Sequence, residues 1–235
     1  MPCYNEEDCI EFVVQDWVKT IRSRDLRFEF IVVNDGSRDR SKEILDNLSN
    51  KIHELQVIHQ PNSGHGPALR HGLENARGDW ILHIDSDNQV LASEFWKLWD
   101  QRREYEYLLG IRIKRHDALH RLIITRILCL VLYLYFGTYL RDSNIPYKLV
   151  RKQELEKLLQ LIPQKVFAPS IFMSIAAAKL FRIKEVPITH LARETGTVSI
   201  VRLKLLRCCI QCVRELATFR TVLRTACRKS SIKNE

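Results

Sequence analysis

No apolar run in this chain reaches the roughly 20 residues that a membrane-spanning helix needs. The longest, Leu122 to Phe136, ends after fifteen residues and carries Arg126 within it. It reads as a helix packed on a sheet or lying at a membrane surface. Of the seven cysteines, only Cys209 and Cys212 have the spacing of half a zinc site, and no second pair follows at usable distance. They read as small residues on a helix. Internal repeats and low-complexity stretches are absent, which excludes repeat architectures, and only residues 228–235 read as a frayed polar end. No secretory signal precedes the cysteines, so the expectation is a reduced, cytosolic setting. A recognised nucleic-acid-reading motif is also missing, and no specific nucleic-acid partner is expected.

What is present suits one α/β domain with appended helices. A chain of 235 residues with 46% hydrophobic content can bury a substantial core. Its net charge of +9 hides an asymmetry. Residues 1–110 carry 13 Lys+Arg against 20 Asp+Glu, a net of −7, and the remainder carries 24 against 8, a net of +16. An acidic first half needs a cation before it can hold a diphosphate. A basic second half suits phosphate groups or an anionic membrane surface.

Strand and helix patterns alternate through the first half. Phe28 to Asn34 reads as a buried strand, stopped by the turn Asp35-Gly36-Ser37. Helical spacing over residues 38–52, a strand over 55–59, a loop over 62–67 and a helix from Ala68 to about Ala76 follow. A strand over 79–84, a helix over roughly 92–103 and a strand over 105–111 complete the regular part. This order predicts a mostly parallel, doubly wound sheet with its ligands beyond the carboxyl ends of the strands. Asp35 and Asp85 both fall at such ends.

The junction after Trp80-Ile81-Leu82-His83-Ile84 is the most informative. A buried strand ends and at once presents Asp85, Asp87 and Gln89, hard oxygen ligands suited to Mg²⁺ or Mn²⁺. Acidic turns after strands also serve only to cap the next helix, so the weight rests on the order of the surrounding motifs. The tail from Ile200 to Cys227 has a polar face (Lys204, Arg207, Gln211, Arg214, Thr218) and an apolar one (Leu205, Cys209, Cys212, Leu216, Leu223). It fits equally a helix in anionic headgroups and one covering the core.

Pro2-Cys3-Tyr4-Asn5-Glu6-Glu7, then Asn34-Asp35-Gly36-Ser37, then Asn62-Ser63-Gly64-His65-Gly66, then Asp85-Ser86-Asp87 form a familiar series. It resembles the family 2 glycosyltransferases of GT-A fold. Gln89, Gly110-Ile111-Arg112 and Arg193-Glu194-Thr195-Gly196 look most like the dolichol- and polyprenyl-phosphate mannosyltransferase branch. The resemblance implies a GT-A domain over residues 1–199 and a basic amphipathic helical tail over 200–235. It implies that Pro2, Tyr4 and Glu6 wall the nucleotide pocket, that Asp35 accepts a hydrogen bond from the base, and that Gly64 and Gly66 let backbone approach the nucleoside. Asp85, Asp87 and Gln89 would hold the metal. Arg112 and Arg121 would face the acceptor phosphate, and Arg193 and Ser199 would lie in a segment closing over the donor phosphates.

The implied activity is metal-dependent, inverting transfer of a sugar from a nucleotide-sugar donor to a lipid phosphate, by a protein peripheral at the cytosolic face of a membrane. Asp142 would serve as a base only for a hydroxyl acceptor, the alternative acceptor class; a structural or sugar-positioning role is the simpler one. Three departures qualify the likeness. Relatives begin with a hydrophobic strand leading into the proline equivalent to Pro2, and its absence predicts unpaired sheet edges, a truncated chain and a binding protein without catalysis as a further alternative. His65 stands where lysine is common, and the segment after Asp142 lacks a glycine often found there.

Overall fold

Strands buried on both faces are built from uninterrupted apolar, β-branched runs. Phe30–Asp35 forms such a strand, β2, with all six residues buried. The computed structural model describes residues 1–113, 119–164, 166, 168–191 and 202–232. In it β2 pairs in parallel with Pro2–Cys3 (β1) on one side and Leu55–Gln60 (β3) on the other. A second sheet contains Trp80–Ile84 (β4), Tyr107–Ile113 (β5), Tyr147–Arg151 (β6) and Ile183–Thr189 (β7), in the order β4-β6-β5-β7. There β6 runs antiparallel to β4 and β5, while β5 and β7 are parallel.

The expected sheet is therefore present in two pieces, a parallel one and a mixed one. β1 is an edge of the first and β4 an edge of the second, and no ladder joins them among the described residues. In β1 only Pro2 and Cys3 pair, with Val33 and Asn34, and the Met1 amine donates to Ile31 O at 2.9 Å. A single hydrophobic core runs through both sheets.

Helices pack on these sheets by their apolar stripes. In Ile10–Arg22 (α1) the buried residues are Ile10, Val13, Val14, Trp17 and Val18, one face at helical spacing. Ser41–Ser49 (α2) is shorter than the expected 38–52. His65–Asn75 (α3) starts three residues before Ala68, because Gly64 takes the cap position at φ 96 and Pro67, lacking an N–H, is tolerated in a first turn. The expected helix over 92–103 reduces to a 3-10 turn, Ala92–Glu94, and Phe95–Trp99 (α4). Gln101 N and Arg102 N bond to Leu98 O and Trp99 O, three residues back, so the chain leaves the helix in tight turns.

Leu119–Phe136 (α5) follows β5. Its Cys129, Leu132 and Phe136 face inward, while Ile127, Leu130, Tyr133 and Leu134 are exposed, Leu134 to 72%. Among the described residues no helix is long and apolar enough to cross a membrane. Lys152–Leu161 (α6) and Pro169–Leu180 (α7) lead to Arg202–Ile232 (α8), and α7 is buried all round from Pro169 to Ala177. Leu216, Phe219 and Leu223 of α8 are buried, with the Phe219 ring 5.0 Å from Phe172 of α7, while Arg214 and Thr218 are exposed. In β5, Gly110 is required by crowding: a Cβ there would lie 2.9 Å from Tyr147 Cδ1 and 3.0 Å from Ile188 Cδ1.

Candidate functional site

The carboxyl ends of β2 and β4 deliver Asp35 and Asp85. Asp35 is 3% exposed. Its Oδ1 accepts from Gln60 Nε2 (2.8 Å), Ser63 N (2.9 Å) and Ser63 Oγ (3.0 Å), and its Oδ2 accepts from Gly64 N (2.8 Å). These bonds fix the 60–64 turn. A Cβ on Gly64 would meet nothing within 4 Å, so the backbone there borders open space. Gly66 is buried in the first turn of α3. Beside this corner Pro2 is buried in β1 and Tyr4 is 41% exposed. Asn5 N donates to Ser37 Oγ (3.0 Å) and Glu6 N to Ser41 Oγ (2.9 Å), which braces residues 4–7 against 37–41.

At the end of β4, Asp85 Oδ1 lies 3.0 Å from His65 Nε2 and 3.9 Å from His83 Nε2. One ligand atom from each of the three residues can be chosen so that all lie within 4.8 Å of one another. His83 is 1% exposed, and neither ring nitrogen has a hydrogen-bond partner. Desolvation alone would raise the Asp85 carboxyl, but His65, with His83 and the Met1 amine adding to it, outweighs that and holds the group below its ordinary value. His65 shows the reciprocal result: desolvation lowers it, and Asp85 outweighs that and raises it. Desolvation dominates at His83 and pushes it well down. A carboxylate flanked by two imidazoles, one an orphaned buried ring, fits a divalent cation.

The next turn is specific in shape. Asp87 Oδ1 accepts from Gln89 N at 3.2 Å, and Asn88 sits at φ 56, a left-handed conformation that asparagine tolerates. Gln89 Nε2 donates to Leu191 O (3.3 Å), and Leu191 N donates back to Gln89 O (2.8 Å). The acidic turn is thereby tied to the chain leaving β7.

A second charged cluster lies at the ends of β5 and β6. Arg112 grips Asp142 with Nε to Oδ2 at 2.6 Å and a terminal nitrogen to Oδ1 at 2.8 Å, both side chains largely buried. Lys148 is fully buried in β6 and donates to Ser170 O at 3.0 Å. Burial lowers it to about 7, against the pull of Asp142 and Asp85 and with the push of Arg112. Lys148 therefore feels both carboxylates and links the two clusters electrostatically. The Arg121 side chain and all of Arg193 and Ser199 lie outside the described residues.

Sequence reasoning did not place His83 or Lys148 in the site, and noted His65 only as a departure. The available signal was an imidazole and an ammonium inside otherwise apolar strands, where such groups are rare without a role.

Residues 1–182 match the glycosyl transferase family 2 profile. The chain belongs to glycosyltransferase family 2. Among related sequences, this family 2 chain is 25% identical over 209 residues to an undecaprenyl-phosphate 4-deoxy-4-formamido-L-arabinose transferase of Pectobacterium atrosepticum, covering 88% of the chain and 63% of the relative. A transferase of the same name from Pseudomonas paraeruginosa is 27% identical over 209 residues, covering 88% and 60%. The chain thus spans less than two thirds of the length of these relatives. Among solved structures, glucosyl-3-phosphoglycerate synthase of Mycobacterium tuberculosis, crystallised with Mn²⁺, UDP and glucosyl-3-phosphoglycerate, superposes with a TM-score of 0.65 at 19% identity, over 94% of this chain and 78% of that one. Mannosyl-3-phosphoglycerate synthase of Rubrobacter xylanophilus gives 0.65 at 16% identity, over 97% and 73%. The fold of this family 2 chain is GT-A.

Proposed function

We propose that this family 2 chain carries the catalytic part of a metal-dependent inverting glycosyltransferase that passes a sugar from a nucleotide-sugar donor to a polyprenyl phosphate. The observation that carries the reading is the position of Asp85, at the end of β4, between an imidazole pair and a buried lysine that also feels Asp142. The names of the undecaprenyl-phosphate relatives favour a lipid-phosphate acceptor.

In this reading the donor diphosphate lies over the Asp85–Gln89 turn, and Pro2, Tyr4, Glu6, Asp35, Gly64 and Gly66 shape the nucleotide side. Asp35 acts by holding the 60–64 turn, so that the open face of Gly64 meets the nucleoside closely. Mg²⁺ or Mn²⁺ held by Asp85 and Asp87, with Gln89 beside them, would neutralise the leaving diphosphate. By the family resemblance, Arg112 and Arg121 would serve the acceptor phosphate, and Arg193 and Ser199 the donor phosphates. An acceptor phosphate is already ionised near neutral pH, so the protein aligns attack on the anomeric carbon and needs no strong base. Both oxygens of Asp142 are committed to Arg112, which favours a positioning role over that of a base for a hydroxyl acceptor.

The exposed apolar face of α5, with Tyr139 beyond it, and the basic second half of the chain support a peripheral position on an anionic membrane, at its cytosolic face. The test is transfer from a panel of labelled UDP- and GDP-sugars to undecaprenyl phosphate in anionic vesicles with Mn²⁺. Lipid-linked sugar, lost in Asp87→Ala, is expected. Folded protein that binds nucleotide but transfers nothing would point instead to a binding role, and transfer only to hydroxyl acceptors would replace the acceptor class.

A further inference from the structure

We propose that His65, His83 and Asp85 form a nitrogen-bearing site for a transition-metal dication of the zinc type, one that discriminates against Mg²⁺. Three features carry this. The chosen ligand atoms of the three residues lie within 4.8 Å of one another, with two imidazole nitrogens 3.0 and 3.9 Å from one carboxylate oxygen. Ligands at about 2.0–2.1 Å from a tetrahedral Zn²⁺ stand about 3.3 Å apart, so small side-chain rotations complete the cage. His83, two residues before Asp85, shares its side of the extended chain and is held at 1% exposure with both ring nitrogens unpartnered. An orphaned imidazole in a core is unfavourable, and a ligand position gives it a partner.

The chemistry of the donors sets the preference. Imidazole nitrogen suits Zn²⁺, Co²⁺ and Ni²⁺, whereas Mg²⁺ prefers oxygen ligands and gives up water reluctantly. Two histidines and a carboxylate leave a fourth position open, as catalytic zinc sites do. The trio shares Asp85 with the cation of the proposed transfer, so a transition-metal dication bound there would take the place of Mg²⁺ at that carboxylate; the site rests on the transfer reading only for this use. Asp87 is not a member of the trio.

The test is titration of the chelator-stripped full chain with Co²⁺, without nucleotide, followed by its visible ligand-field band. A one-to-one band displaced by Zn²⁺ and unmoved by a large excess of Mg²⁺ is expected. His65→Ala and His83→Leu should each weaken binding by at least about tenfold, the scale of losing one ligand or its support. Asp87→Ala should keep the band even though transfer is lost, so the two readings fail separately. His65 is about half exposed, its side chain 52% accessible, so its variant tests the site even if His83→Leu fails to fold. No band, a band indifferent to both histidine variants, or equal competition by Mg²⁺ would overturn the proposal and leave His65 and Asp85 as a metal-free ion pair.

Discussion

His83 of β4 and Lys148 of β6 stand directly opposite each other in an antiparallel ladder, and neither is more than 1% exposed. Two basic side chains so placed repel when both are protonated. Their carboxylate neighbours are Asp85, which lies near both, and Asp142, which faces Lys148 together with Arg112. The pair makes this interior sensitive to proton concentration in a direction that can be worked out.

Lys148 falls from 10.5 to about 7 on folding, so between those values the unfolded chain binds more protons than the folded one. Its contribution is a destabilisation, complete below about 7 and relieved as pH rises toward 10.5. Lys148→Met should therefore be stabilised relative to the parent most at pH 6, with the advantage shrinking steadily toward pH 9.5. Urea unfolding at several pH values measures the difference, and a pH-independent gap would show that the lysine is solvated as it titrates.

Arg112→Ala should cost about 3–5 kcal/mol, because it leaves the Asp142 carboxylate buried without its bidentate partner. The double replacement Arg112→Met with Asp142→Leu should recover much of that loss. Denaturant midpoints of the single and double variants give the coupling directly, and additivity would deny the pair a structural role.

Asp35→Ala removes the acceptor of four hydrogen bonds from the 60–64 turn. A loss of about 1–3 kcal/mol is expected for the stranded donors, with faster amide exchange at Ser63 and Gly64. Unchanged protection at these two amides would mean that the turn holds itself.

Asp87→Ala should lower kcat of the proposed transfer by about 10²–10³, with no change in melting temperature. Its carboxylate accepts a bond from Gln89 N at 3.2 Å, a contact inside one turn, so the melt reports whether that turn is needed for folding. Steady-state rates with Mn²⁺ beside a thermal melt separate the two effects.

Leu134→Asp should leave stability within about 0.5 kcal/mol, since the side chain is 72% exposed. The same change should reduce sedimentation of the chain with anionic vesicles. Equal sedimentation of both forms would move the membrane contact away from α5.

Much of the first half was legible in the sequence because its strands are long apolar runs ended by turn residues. β2, β3 and β4 fall within a residue or two of their expected limits. Helix starts were harder to read. The first turn of α3 begins on His65 because a left-handed Gly64 caps it, and that backbone state leaves no mark beyond the glycine itself. β6 was missed entirely, since Lys148 interrupts an otherwise apolar strand and reads as a surface residue until the cluster around it is seen. The carboxylates of the candidate site were found from spacing along the chain. His83 and Lys148 were not, because their nearness is made by pairing between distant strands.

The seam between β1 and β4 has a dynamic consequence. Among the described residues no ladder bond crosses it, so the halves bearing Asp35 and Asp85 are held there by side-chain packing and a few polar bridges such as His65 to Asp85. Opening along this line would break no ladder bond among the described residues, which lowers the cost of local opening there. The two strand-end carboxylates would then part and meet together, as the jaws of one clamp.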